Sequence, residues 1–174
     1  MKILKWFSDR ECKEAISEFV EKYYSHTLTV NDTSIFFKAF LGMIYSSKER
    51  IMEEEDGEIW EDIKADVEEF GSMAFCFEVW GSEFKFIIMI DKEDILLGEY
   101  EGIYKPLENV NYSAWISLMP DCQIKMMNGG LINKHELINL DCVIIGSVKV
   151  VIKPRNWIQN LFTNISSEPI QAFL

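Results

Sequence analysis

The chain has 174 residues, of which 48% are hydrophobic and 13% aromatic, and its net charge is −12. This composition is typical of a globular protein with a buried core, and it excludes a wholly disordered chain. The acidic excess argues against direct binding to nucleic acid, because affinity for phosphates comes largely from Lys and Arg.

The N-terminal segment, MKILKWFSDRECKE, has too short an apolar run for a signal peptide. No apolar run reaches the ~18 residues that a membrane span needs. We therefore expect a cytoplasmic protein with reduced thiols and no membrane partner. The cysteines form no C-x-x-C pair and are interpreted as small buried side chains. They are Cys12, Cys76, Cys122 and Cys142.

The first part of the chain is predicted to be helical. Ser8 and Glu11 have the capping-box spacing, and apolar residues recur at helical spacing behind them, which predicts an amphipathic helix from about Asp9 to Tyr24. Several N-cap candidates at 31–34 precede IFFKAFLGMIY, a stretch that is apolar nearly all round. We expect a second helix there, running to about Ser47 and buried on most sides.

A third helix is predicted from Glu58 to Phe70, with Gly71 as its stop. It lies in the most acidic part of the chain. From Glu49 to Glu69 there are eleven acidic and two basic residues, a net charge of −9, whereas the other 153 residues carry only −3. The acidity of this protein is therefore mostly local.

The pattern changes to strands at Ser72. MAFCFEVW and EFKFIIMID keep period two and are joined at a Gly-Ser pair, which predicts a hairpin. Residues 91–111 are interpreted as irregular because Gly and Pro interrupt them. SAWISLM is a predicted strand, and QIKMM is predicted to pair with LINKHELINL in a second hairpin. DCVIIGSVKVVIK predicts a long strand, and Pro154 begins a predicted final helix, RNWIQNLFTN.

This order of elements predicts the α+β class: N-terminal helices packed on a mainly antiparallel β-sheet, with a short C-terminal helix. We expect one domain over residues 1–174, helical over about 1–71 and formed by the sheet and closing helix over about 72–174. The sequence determines neither the strand order nor the oligomeric state.

One short motif raises an enzymatic alternative. Glu83 and Lys85 form an E-x-K tripeptide, Glu78 precedes it, and Asp62 and Asp66 lie upstream. This set resembles the carboxylate-plus-lysine core of restriction-endonuclease-like nucleases. The resemblance implies that acids hold Mg²⁺ while the lysine assists the attacking water. The Pro-Asp that usually opens the motif is missing before Glu83, and the other interpretation is plain cross-strand pairing of Glu and Lys.

The sequence shows no other catalytic arrangement. His26 and His135 lie near turns without a nucleophile setting, and no H-E-x-x-H or G-x-S-x-G motif occurs. A calcium loop centred on Gly57 fails, because Met52 and Ile63 fall where acids are required. We expect no cofactor and no bound metal.

The acidic segment is instead predicted to be a docking surface for a basic protein. Charge steers such an encounter, and desolvated aromatic contacts hold it. The alternative is that the acids only keep an apolar-rich protein soluble. The predicted contact residues are Glu53, Glu54, Glu55, Asp56, Glu58, Trp60, Glu61, Asp62, Glu68 and Glu69.

A small acidic protein without a catalytic motif is similar in overall profile to the bacterial immunity proteins of contact-dependent or polymorphic toxin systems. That resemblance rests on charge and size rather than on a motif. It implies a non-enzymatic antitoxin that occludes the active surface of a basic toxin domain, such as a nuclease. A third hypothesis is a phage or mobile-element accessory protein whose acids imitate DNA.

Overall fold

The computed structural model describes residues 1–51, 58–91, 94–128 and 142–145, and the strands among them form one sheet. The strands are β1 (Lys2–Trp6), β2 (Met73–Val79), β3 (Lys85–Ile90), β4 (Ile95–Glu101), β5 (Tyr112–Leu118) and β6 (Cys142–Ile145). The helices are α1 (Asp9–Tyr24), α2 (Thr33–Ile51), α3 (Glu58–Phe70) and α4 (Pro120–Met127), with a 3-10 turn at Val30–Asp32.

The described strands lie in the order β1-β4-β3-β2-β5-β6. All neighbouring pairs are antiparallel except β2 and β5, which run parallel with Met73 opposite Tyr112. Strands β2, β3 and β4 follow one another through short connections, whereas β1 and β5 join this meander from distant parts of the chain. The α+β class and the mainly antiparallel sheet are confirmed.

Helix α1 begins where the sequence predicts. The Ser8 hydroxyl accepts a hydrogen bond from the Glu11 N–H at 3.2 Å, and the Glu11 carboxylate accepts one from the Ser8 N–H at 2.9 Å. These two bonds satisfy donors that a helix start otherwise leaves open. The helix then buries Cys12 and Phe19 on one side, which confirms the amphipathic prediction.

Helix α2 lies in the centre of the core, as its nearly continuous apolar sequence predicts. Phe36, Phe37, Phe40 and Leu41 are each at most 2% exposed. The Tyr45 hydroxyl donates a 2.5 Å hydrogen bond to the Ile95 carbonyl, which ties the helix to β4. The helix extends to Ile51, beyond the predicted end near Ser47.

The two faces of the sheet carry separate apolar clusters. One face packs against the helices, and its β2 and β3 side chains include Phe75, Phe77 and Phe86. The opposite face buries Ala74, Cys76, Ile87 and Tyr100. Their cover includes the segment between β4 and β5, which contributes Tyr104, Leu107 and Val110. Because both faces of the β2–β3 hairpin are covered by other parts of the chain, the residues on both faces are apolar.

Two buried polar atoms lie within that second cluster, the Tyr100 hydroxyl and the Trp115 indole nitrogen. Neither forms a hydrogen bond of ordinary geometry with the described residues, although an interaction with Trp115 partly offsets the raised pKa of Tyr100. Burial raises the pKa of Tyr100 well above its ordinary value, so the phenol stays neutral.

Two predictions for the middle of the chain are wrong. Residues 91–111 were expected to be irregular, yet β4 occupies Ile95–Glu101. QIKMM was expected to be a hairpin strand, but it belongs to α4, where Pro120 takes the first helical position and Asp121 the first turn. Both residues favour a helix start, and the burial of Gln123 and Met127 follows helical spacing.

Several predictions fall wholly or partly outside the described residues. They concern the second arm of the later hairpin, the part of the long strand after residue 145, the final helix at 155–164, and His135. The predicted strand SAWISLM is confirmed as β5, and the predicted third helix is confirmed as α3 with the same bounds. Strand β1 joins the sheet, although the sequence assigned no element to it.

Candidate interaction surface

Helix α3 buries an apolar face and one acid, Asp66, which is 4% exposed. Val67 and Phe70 are buried in the main apolar cluster. Ala65, Glu68 and Glu69 are exposed on the other side of the helix. An amphipathic helix of this kind forms because apolar residues at intervals of three and four fall on one face.

Five of the six acidic positions of α3 share that outer side, and the buried Asp66 is the exception. At 3.6 residues per turn, their Cα positions fall within about a third of the helix circumference, on the side of Ala65. Trp60 stands two turns before the buried Val67, so its Cα lies on a different side of the helix from the acids. The five acidic positions on that side are Glu58, Glu61, Asp62, Glu68 and Glu69.

The rest of the predicted contact set cannot be placed on this surface. Glu53, Glu54, Glu55 and Asp56 lie outside the described residues. Glu68 and Glu69 are therefore the predicted contact residues whose exposed side chains the structure describes. They stand in the last turn of α3, beside a groove.

The groove lies where the C-terminal end of α3 meets the starts of β2 and β5, and it has a volume of about 860 Å³. It is open to solvent on one side. Three of its nine lining residues are carboxylates and none is basic. The lining residues are Val67, Glu68, Glu69, Phe70, Gly71, Ser72, Asp91, Asn111 and Tyr112.

Main-chain contacts fix the walls of the groove. The Ser72 carbonyl accepts hydrogen bonds from the N–H groups of Asn111 at 2.9 Å and Tyr112 at 3.1 Å. Gly71 has φ +79°, and a Cβ there would lie 2.5 Å from the Asn111 side chain. Any other residue at the end of α3 would therefore displace the Asn111 side chain, which forms the neighbouring wall of the groove.

An aromatic ring forms part of the lining. Tyr112 is 37% exposed. Its ring meets the ring of Phe70 edge-on, with centroids 5.6 Å apart and planes at 87°. This geometry is a favourable aromatic contact, and it holds the Tyr112 ring in position while leaving part of it accessible.

The sequence did not identify Asp91, Asn111 and Tyr112 as members of a site. Asp91 ends the first predicted hairpin, and Asn111 ends the segment interpreted as irregular. Asp91 reaches the groove through the β2–β3 pairing, whereas Asn111 and Tyr112 join α3 because β5 pairs in parallel with β2, a contact between distant parts of the chain. A strand pattern carries no signal for which other strand it will pair with.

The E-x-K residues form a simpler arrangement. Glu78 and Lys85 are directly opposite in the β2–β3 ladder, and their charged groups are 3.7 Å apart. Lys85 also donates to the Gly102 carbonyl at 3.0 Å. Glu83 is exposed before β3 begins. Glu78 and Lys85 therefore form a cross-strand ion pair of the kind that stabilises antiparallel sheets.

The described residues offer little other reactive chemistry. Burial raises the pKa of Cys12 and of Cys76 to about 12 each, so both thiols stay protonated. His26 is exposed just after α1 with φ +55°, as a turn residue. Within the described ranges, no group of three or more His, Cys, Asp or Glu side chains is arranged to hold a metal ion.

Comparison of the chain with protein-family models, with curated proteins and with solved structures gave no match. Among the helices that the structure describes, none combines the length and apolar composition needed to cross a membrane. The functional interpretation therefore depends on the residues and surfaces described above.

Proposed function

We propose that the protein is a non-enzymatic, acidic binding protein of the immunity or antitoxin type. In this proposal it acts in the bacterial cytoplasm and neutralises a basic toxin domain by covering that domain's active surface. The observation that carries the proposal is the concentration of acid in one segment, with a net charge of −9 between Glu49 and Glu69. Five of the six α3 acids have Cα positions on one side of the helix, which supports the proposal.

Clustering of this kind has a physical cost. Carboxylates along one side of a helix repel each other and oppose folding, which a surface needed only for solubility avoids by spreading its charges. A basic partner removes that repulsion on binding. Steering by opposite charge also raises the rate of association, and a fast-acting toxin makes a fast encounter valuable.

The acids would work by competition. A nuclease grips its substrate through Lys and Arg side chains that contact phosphates. A complementary row of carboxylates can occupy the same cationic side chains and exclude the nucleic acid. Screening at cellular salt has a length of about 8 Å, so the field acts at close approach while contact pairs persist.

The partner is sought first in the neighbouring reading frames, where a toxin gene is expected immediately upstream. The product of that frame should arrest growth when expressed alone, and co-expression of this protein should restore growth. If the neighbouring reading frames encode no toxic product, the proposal that this protein neutralises a toxin is wrong.

A charge-reversal variant tests the surface itself. Four acids of the segment are changed to Lys, and a control variant carries four such changes at exposed acids elsewhere. Both variants have a net charge of −12 + 8 = −4, so they differ in the position of the charge and not in its total. The test set is Glu54, Glu55, Glu61 and Asp62, and the control set is Glu14, Glu18, Glu21 and Glu108.

We expect the test variant to bind the upstream protein at least a hundredfold more weakly by calorimetry. That expectation follows because several close charge pairs change from attraction to repulsion. The control variant should bind within about threefold of the unmodified protein, since rim charges remote from the contact act mainly through the long-range field. Equal weakening in both variants would show that only total charge matters, and would refute a localised docking surface.

A further inference from the structure

Residues 102–111 form a strap across the second face of the sheet. Strand β4 runs parallel to β5, and β3 and β2 lie between them. The end of β4 and the start of β5 are therefore at opposite ends of the sheet, roughly 25 Å apart. The strap covers that distance as an extended diagonal. The Gly102 carbonyl accepts a 3.0 Å hydrogen bond from the Lys85 side chain, and the Asn111 N–H donates to the Ser72 carbonyl, so both ends are fixed.

Between its ends, the strap is held by few contacts. Tyr104, Leu107 and Val110 pack on the second cluster at every third position, and each is only partly buried. The Tyr104 hydroxyl donates a 2.8 Å hydrogen bond to the Ser113 hydroxyl. In the part of the chain that the structure describes, no main-chain hydrogen bond of ordinary geometry joins residues 103–110 to the sheet. A segment with so few buried contacts can open at a small cost in free energy.

The cluster on which the strap packs contains two donors without a suitable acceptor. The Tyr100 hydroxyl and the Trp115 indole nitrogen are buried, and neither forms a hydrogen bond of ordinary geometry with the described residues. Because both groups are donors, their approach to each other still leaves one proton without an acceptor. Such a donor destabilises the closed state, since water satisfies it once the cover is lifted. The chemistry beneath the strap therefore opposes closure.

We propose that the strap opens as a unit from the second face while the sheet beneath it stays folded. Opening uncovers the apolar side chains of Ala74, Cys76 and Ile87 together with the two buried donors. The strap thus controls whether this surface is closed or accessible to solvent and to other molecules. The second face is opposite the one that packs against α3, so this device is separate from the proposed toxin-binding surface.

Cysteine labelling tests the opening in the full chain. Cys76 lies in the second cluster and Cys12 on the helical side of the sheet, and both are 0% exposed. Iodoacetamide treatment followed by peptide mass spectrometry gives both rates from one sample. Cys76 should react at least tenfold faster than Cys12, because its exposure requires only the strap to open. The Cys76 rate should depend weakly on urea and the Cys12 rate steeply, because local opening exposes little surface.

Two variants remove the same atom from different tyrosines and should have opposite effects. Tyr104→Phe removes the bond to Ser113, so Cys76 should react at least fivefold faster. Tyr100→Phe removes the hydroxyl that closure leaves without an acceptor, so Cys76 should react at least threefold more slowly. Tyr24→Phe, at an exposed position of α1, is the control and should leave the Cys76 rate unchanged.

The proposal is overturned if Cys76 and Cys12 react at the same rate with the same urea dependence, because only global unfolding would then expose Cys76. It is also overturned if Tyr104→Phe leaves the Cys76 rate unchanged. In that case Met1, whose sulfur lies 3.9 Å from that of Cys76, would be the group that moves. Faster labelling in Tyr100→Phe would show that the hydroxyl supports closure, which contradicts the proposal. These measurements involve no partner, so their outcome is independent of the toxin-binding experiments.

Discussion

Gly42 marks a close approach of the α1 and α2 backbones. A Cβ built on Gly42 would overlap the carbonyl oxygen of Cys12 and lie 2.6 Å from the carbonyl carbon. The obstacle is backbone rather than a flexible side chain, so it cannot move aside without shifting α1. The glycine therefore allows the two helix backbones to pack in contact.

We predict that Gly42→Ala destabilises the protein by about 1–3 kcal/mol, as overpacking of a tight contact usually does. In an unobstructed helix the same change gains about 1 kcal/mol, so the sign of the result is informative. Urea unfolding followed by circular dichroism measures the change. Ser17→Ala, at an exposed position of α1, is the control and should have little effect.

Glu11 gives a residue-scale prediction about pH. Hydrogen bonds from the Lys5 side chain, then from the Ser8 backbone, lower its pKa from 4.5 to about 2. A carboxyl with a depressed folded pKa contributes stability that is fully present above 4.5 and is lost as the pH falls toward 2. Glu11→Gln retains the capping-box spacing but removes this charge.

The stability difference between the unmodified protein and Glu11→Gln should therefore be largest at pH 7 and shrink between pH 4.5 and pH 2. Urea midpoints at pH 7, 4 and 3 measure it. Lys5→Gln should remove most of the same pH dependence, because Lys5 is the largest cause of the shift. A difference that stays constant over this range would contradict the assignment.

Among individual residues, the sequence correctly predicted contacts between residues that are close together in the chain. The Ser8–Glu11 box was predicted because its two residues are three positions apart. The Gly42 contact was not, because Cys12 lies thirty positions away and the contact depends on how two helices cross. The same limit hid Asn111 and Tyr112 from the candidate site.

Among the elements, α2 connects the helical layer to the sheet, and Tyr45 is its polar anchor. The Tyr45 hydroxyl is buried and bonds to the Ile95 carbonyl at the start of β4. Burial raises the pKa of this phenol, so it remains a neutral donor over the physiological range. A buried bond of this kind fixes where the helix lies along the strand.

Tyr45→Phe should lower the free energy of unfolding by about 1–2 kcal/mol, because a hydrogen bond is lost in the core while the ring is kept. Tyr24→Phe is the matched control, since Tyr24 is 56% exposed at the end of α1. That control should change stability by no more than about 0.5 kcal/mol. Thermal and urea unfolding of both variants would test the expectation.

The elements that the sequence mispredicted have identifiable causes. Strand β4 contains Gly98, which weakens a strand pattern, yet a Cβ there would lie 2.7 Å from the Trp6 ring. Gly98 leaves room for the Trp6 ring where β1 pairs with β4. The sequence near Gly98 gives no indication of this contact, because Trp6 is distant in the chain. Helix α4 was taken for a strand because QIKMM is short and the helix-start signal of Pro120 lies before it.

At the scale of the whole molecule, uneven charge is the main property that the composition predicted. The net charge of −12 is far from neutral, and most of it lies in one segment. Repulsion among like charges opposes the compact state, and it weakens as salt shortens its range. The free energy of unfolding should therefore increase as the ionic strength is raised.

Raising NaCl from about 0.01 M to about 0.1 M shortens the screening length from about 30 Å to about 10 Å. We expect the urea midpoint of the unmodified protein to rise over this interval. The variant with lysines at four acids of the segment should respond less, because its net charge is only −12 + 8 = −4. A midpoint that falls with salt would mean that attractive ion pairs outweigh the repulsion.

The mixed sheet has a consequence for the order in which the protein assembles. Strands β2, β3 and β4 pair with their immediate neighbours in the chain, so closing these loops costs little chain entropy. Strands β1 and β5 must each be brought from far away to opposite edges of that meander. We expect the meander to form early in folding, with β1 and β5 docking later, so that the groove beside α3, which needs β5, is completed only in the last stage.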